Sequence, residues 1–166
     1  FPAADVPVVQ LSINAAKPWE FHLDLARRLA PLRQAGVLIV GSGNVVHDLR
    51  RIDWSMPDGV FDWAHRFDDA ARHHMTTDPA GVLDLARHPD VAGAVPTPDH
   101  FLPLLYVAGI ADVAGEGCVT LVDGCTYGSL SMTSYALGVD SPHNDGDAPA
   151  AALPAPDRIP PDETNT

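Results

Sequence analysis

Hydrophobic positions in the chain follow two kinds of pattern. Val6 to Asn14 (VPVVQLSIN) and Val37 to Val40 (VLIV) are dense in β-branched and aliphatic residues, as buried strands are. Between them Phe21, Leu25, Leu29 and Leu32 recur at helical spacing behind Pro18, the stripe of a helix lying on a sheet, and Gly36 follows as a helix C-cap. Strand, helix and strand form a βαβ unit. The predicted fold is therefore α/β, with a mixed or largely parallel central sheet flanked by helices.

Further along, Asp48 to Gly59 reads as loop, with the Asp58-Gly59 pair marking a turn. Phe61, Ala64, Phe67 or Asp68, Ala71 and Met75 share one face of a predicted helix, while Asp62, Arg66, Asp69 and Arg72 face water. Asp78-Pro79 reads as an N-cap and first-turn proline for a helix through Ala86 or Arg87. Thr97-Pro98-Asp99 repeats that start signal for a helix carrying Phe101, Leu104, Leu105 and Ala108 and closed by Gly109. Cys118 to Val122 and Leu130 to Leu137 read as strands joined around Gly124 and Gly128. Beyond Gly138 the pattern stops: acidic residues, prolines and alanines predominate and aromatics are absent, so residues 139–166 are expected to be a disordered acidic tail. No internal repeat is present.

Composition narrows the class. With 166 residues the chain is one domain or part of one, and no segment has the length and apolarity of a membrane span. A net charge of −12 argues against a nucleic-acid partner, whose phosphates call for a basic footprint. The opening FPAADVPVV lacks a signal-peptide pattern and does not begin with Met, so the expectation is the later part of a longer, cytoplasmic polypeptide. Cys118 and Cys125 are then expected as reduced, buried thiols; two cysteines alone do not make a structural zinc site.

The chemistry gathers at two of the eight histidines. His65, His73 and His74 fall on a predicted surface helix, His88 precedes a proline in a loop, His143 is in the tail, and His22 reads as a partly buried surface residue near a helix start. His47 follows Gly41-Ser42-Gly43-Asn44, a turn whose glycines permit positive φ or close approach of a ligand or another backbone. That glycine spacing is no dinucleotide fingerprint. His100 would be the third residue of the helix capped by Thr97, where the positive end of the helix dipole favours a neutral imidazole, the form that binds metal. Two imidazoles suit Fe(II), Zn or Mn but are too few to close a site.

The segments GVLIVGSGNVVHDLR, VPTPDHFLPLLYVAG and YGSLSMTSY, with the opening VPVVQLSIN, resemble the C-terminal half of the DODA-type extradiol ring-cleavage dioxygenases of the LigB-like class III superfamily. The resemblance covers residues 1–138 and implies an incomplete α/β catalytic domain that cleaves a catechol ring beside its hydroxyls with O₂. It further implies a mononuclear centre, Fe(II) as the catalytic metal with zinc able to occupy such sites. It places His47 next to the metal as acid/base, or as an additional ligand, and His100 as a metal ligand. Asn44 and Ser42 are candidate substrate or supporting contacts; Arg50 and Arg51 stand nearby, with a solvated loop as their plainer explanation. Two departures from the family pattern occur: Val95 stands where a further histidine usually opens the second motif, and Asp48 replaces the common Asn after His47. The two further metal histidines that the resemblance implies belong to an N-terminal half not represented here.

Two other readings are carried forward. The chain could be a truncated, non-catalytic paralogue acting as an interaction module, and a half-domain with uncovered sheet and helix faces would dissolve poorly or form homo-oligomers. A zinc or iron hydrolase is disfavoured, because no HExxH helix or carboxylate-rich ligand set occurs.

Overall fold

A computed structural model describes residues 3–140. The expected acidic tail, apart from Val139 and Asp140, lies outside the described residues. Helices dominate: α1 (Trp19–Leu29), α2 (Pro31–Gln34), α3 (Asp62–Thr77), α4 (Val91–Ala94) and α5 (Leu102–Ala114), with 3₁₀ turns over Leu49–Arg51 and Pro79–Arg87. Four short strands follow, β1 (Val119–Val122), β2 (Cys125–Thr126), β3 (Leu130–Ser131) and β4 (Ser134–Ala136). They pair as two antiparallel ladders, β1 with β4 and β2 with β3.

The central parallel sheet is not found among the described residues. Val6 to Asn14 and Val37 to Val40 form no strand and join no ladder, and Val8, Val9, Leu38 and Val40 are 91%, 92%, 79% and 77% exposed. Their β-forming sequence is real; what is missing is any neighbouring strand to take their backbone groups. Pro31 divides the first predicted helix into α1 and α2, since a proline has no N–H to continue the ladder, and Gly36 then closes the chain at φ +80°. The Leu130 to Leu137 strand is broken at Met132-Thr133, where Met132 N instead donates to the carbonyl of Gly124 at 2.9 Å.

On α3 and α5 the core is built where the helical stripes predicted it; on α1 it is not, because Phe21 and Leu32 of the predicted stripe are 42% and 41% exposed and the face turned inward carries His22, Leu23 and Ala26. On α3, Ala64, Phe67, Ala71 and Met75 are all fully buried and meet Leu102, Leu105 and Ala108 of α5 and Val82 and Leu85 of the 3₁₀ segment. Asp68 shares that buried face. Helix α5 starts later and ends later than predicted. It begins at Leu102, with Pro103 in its first turn, and runs to Ala114 before Gly115 closes it at φ +69°. Gly109 is no terminator: a Cβ there would stand 2.5 Å from the Leu23 carbonyl and 2.7 Å from Ala26 Cβ, so its hydrogen lets α1 and α5 pack closely.

This packing buries His22 completely, more deeply than the sequence suggested. Its Nδ1 lies 3.1 Å from the Tyr106 hydroxyl, and burial holds its pKa below the ordinary histidine value. A base whose folded pKa is depressed contributes stability above the unfolded pKa, near 6.5, and loses it as pH falls. The thermal midpoint is therefore expected to fall between pH 7 and pH 5. His22→Gln, neutral throughout and still able to bond Tyr106, should flatten this slope; an equally steep slope in the variant would assign the loss elsewhere.

Candidate active site

The glycine turn and the segment before α5 are pressed together, backbone against backbone. Gly41 and Gly43 do not use positive φ. Instead a Cβ on Gly41 would sit 3.0 Å from the Pro103 carbonyl, and one on Gly43 would overlap the carbonyl of His100. That carbonyl accepts the Asn44 amide at 2.9 Å. Three positions on, the His47 amide donates to Ala94 at 2.9 Å and His47 bridges Leu130 of β3. Each backbone clamp fixes one histidine.

The result is that His47 and His100 meet. Their rings stack, with centroids 3.7 Å apart and planes 14° from parallel. His100 lies in the turn ahead of α5 rather than as the third residue of a helix. Burial, and then the neighbouring His100, hold the His47 pKa below the ordinary value, so its imidazole is neutral at pH 7. Asp99, which sequence reasoning passed over, sets its Oδ2 3.2 Å from His100 Nε2.

Asn44 and Ser42 fare differently. Asn44 Nδ2 donates to the Ser131 carbonyl at 2.8 Å, so the side chain braces β3 against the glycine turn, while Ser42 is exposed. Asp48 is 2% exposed; its carboxylate accepts from the Arg50 amide and from Nε and NH2 of the same guanidinium, which hold its pKa below the carboxylate range. Asp48 thereby caps the turn over Leu49–Arg51 and engages the Arg50 guanidinium. Arg51 lies over the Trp63 ring, 4.2 Å from its centroid.

Two imidazoles amount to at most part of a metal-ligand set. In-plane lone pairs of nearly parallel rings run side by side, whereas ligands to one ion must converge on it at about 2.0–2.2 Å. The stack thus suits one ligand and one adjacent proton carrier, and does not suit His47 as a second ligand to the same ion. Among the described residues no group of three histidine, cysteine or acidic side chains is placed to hold a metal. Of the other described histidines, His65 pairs with Asp69 on the surface of α3, and His88 packs edge-on against Phe67. Cys118 and Cys125 are free, their thiols pushed up to about 11 and about 12 by burial, so neither offers a thiolate.

No family model matches the sequence. Related proteins do. The chain belongs to the DODA-type extradiol ring-cleavage dioxygenase family, whose named members define the class. In particular it is 41% identical over 143 residues to the 4,5-DOPA dioxygenase extradiol of Escherichia coli K12, covering 83% of this chain and 52% of the relative. Proteins of the same name from Beta vulgaris and Portulaca grandiflora are 34% and 36% identical, each over 81% of this chain and 52% and 50% of the relative. The crystal structure of an uncharacterized Escherichia coli K12 protein superposes with a TM-score of 0.74 at 39% identity, covering 81% of this chain and 57% of that one. The chain spans about half the length of the curated relatives it matches.

Proposed function

We propose that residues 1–138 contribute half of an extradiol catechol dioxygenase centre, His100 as a metal ligand and His47 as its acid/base partner. The observation that carries this reading is the stacked His47–His100 pair, held by two backbone clamps in a chain 41% identical to a named extradiol dioxygenase. Fe(II), with zinc as the alternative occupant, would bind both catechol oxygens and O₂ when present. The other ligands come from polypeptide outside this chain.

Within that reading each residue here has a task. His47 receives the proton of a catechol hydroxyl on one ring nitrogen and returns it as the ring opens, work suited to an imidazole that is neutral at pH 7. Asp99 puts a carboxylate 3.2 Å from the His100 ring, and Asn44 fixes the backbone behind it. The two unpaired segments fit the same picture. Val6 to Asn14 and Val37 to Val40 are strands of a central sheet, largely parallel, whose neighbours lie in polypeptide outside this chain, and the partly buried Ile39, packed against Ala26, Tyr106 and Ile110, marks the face that α1 and α5 already cover.

The test is a chimera joining residues 1–138 to the part of the Escherichia coli relative that the match leaves out. Expected are a yellow ring-opened product and O₂ uptake with catechols after Fe(II) loading, and none from this chain alone. A folded, metal-loaded chimera without turnover would favour the interaction-module reading, and turnover by the chain alone would overturn the half-site.

A further inference from the structure

The paired histidines trace back to one buried acid. Asp68 is only 4% exposed and stands on the apolar face of α3, where Ala64, Phe67, Ala71 and Met75 are its companions. Its Oδ1 accepts the Ser131 hydroxyl at 2.5 Å and its Oδ2 accepts the Thr133 hydroxyl at 2.8 Å. No arginine or lysine pairs with it among the described residues; Arg72, one turn along, goes to Asp69 and Asp123. Ionised carboxylates are costly to bury without a cation, and burial accordingly raises the Asp68 pKa while the two hydroxyls oppose the rise.

What the acid gains is direction. Two acceptor oxygens fix two hydroxyl rotors at once, and the Ser131 they hold is the residue on which the site is hung. Ser131 N donates to the Val46 carbonyl at 3.0 Å, and its own carbonyl accepts Asn44 Nδ2 at 2.8 Å. Next to it Leu130 bridges His47, and Ser129 binds Asp48 through both its carbonyl and its hydroxyl. Asn44 in turn holds the carbonyl of His100. Thus a single side chain on α3 reaches both histidines, His47 through Val46 and Leu130, and His100 through Asn44.

We propose that Asp68 is a positioning residue that sets the His47–His100 pair by anchoring Ser131. The inference rests on the reading of that pair as the working centre, since only then does its placement affect turnover.

Two measurements separate the proposal from that reading. The first is amide hydrogen exchange on the full 166-residue chain. Asp68→Ala is expected to lower protection about tenfold at Asn44, His47, Asp48 and Ser131 while the α5 amides from Leu105 to Ala111 keep theirs. Asp68→Asn, which still presents an oxygen to Ser131, should restore it, and Ser131→Ala should reproduce the loss. Should Asp68→Ala fail to fold, the Asn and Ser131 variants decide alone. Unchanged protection at those four amides in Ser131→Ala, or a uniform loss across α5 in every variant, would overturn the proposal. The second is the chimera, where Asp68→Ala is expected to reduce kcat about tenfold or more at unchanged KM. An active chimera whose kcat ignores Asp68→Ala sinks the positioning role and leaves the dioxygenase reading standing. A chimera without turnover whose exchange pattern still depends on Asp68 sinks the dioxygenase reading and leaves the anchor.

Discussion

His47→Ala in the active chimera is expected to lower kcat by roughly 10²–10⁴-fold, the range of a lost acid/base group, with the metal content unchanged. His100→Ala is expected to lose the metal and, with it, turnover. The asymmetry follows from the stack. Rings 3.7 Å apart and 14° from parallel do not aim their lone pairs at one point, so only one of them can hold an ion in the plane of its ring. The ligand role is given to His100 because a carboxylate, Asp99, stands 3.2 Å from its ring, whereas His47 has a lowered pKa and the weaker donor basicity that goes with it. Metal analysis of the two variants beside single-turnover kinetics reads the difference. Equal loss of metal in both would make His47 a ligand and require the rings to unstack on loading; metal loss confined to His47→Ala would reverse the roles.

Much of this centre was legible in the sequence because it is written in local chemistry. A glycine turn behind a β-rich run, a histidine three residues on and a second histidine among prolines were enough to nominate His47 and His100. The helical stripe from Ala64 to Met75 likewise folded as its spacing implied. Long-range partners were the illegible part. VPVVQLSIN has the composition of a buried strand, but composition does not say whether a neighbour is present, and in this chain the segment stands open. The stop assigned to Gly109 failed for a related reason: a glycine read as punctuation was serving a helix contact with α1, which lies some 80 residues earlier.

Asp68 shows the same limit from the other side. Its spacing put it beside Phe67 on the core face, yet an acid there reads as a register ambiguity until the Ser131 and Thr133 hydroxyls are seen. Asn44 was nominated from its place beside the glycine turn. Its amide and side chain join the His100 carbonyl to β3, a link that its place in the sequence did not disclose. In each case the residue was found and its partner was not.

Gly43→Ala is expected to destabilise the chain by about 2–4 kcal/mol, combining an overpacked contact with the loss of a backbone hydrogen bond. The added methyl would overlap the His100 carbonyl, which cannot swing aside because it accepts the Asn44 amide, and Pro103 Cγ closes the other side at 3.2 Å. Gly36→Ala is the control. Gly36 needs positive φ, yet has nothing within 4 Å of its missing Cβ, so the change should cost only about 1–2 kcal/mol of backbone strain. Gly43 has the opposite character: its φ is permissive and its surroundings are not. Urea unfolding should therefore rank Gly43→Ala below Gly36→Ala, and in the chimera Gly43→Ala should also weaken metal retention, because His100 is what the methyl displaces. Equal stability of the two variants, with metal retained, would mean that the turn and the His100 segment are free to separate, and the shared site would lose the contact that brings its histidines together.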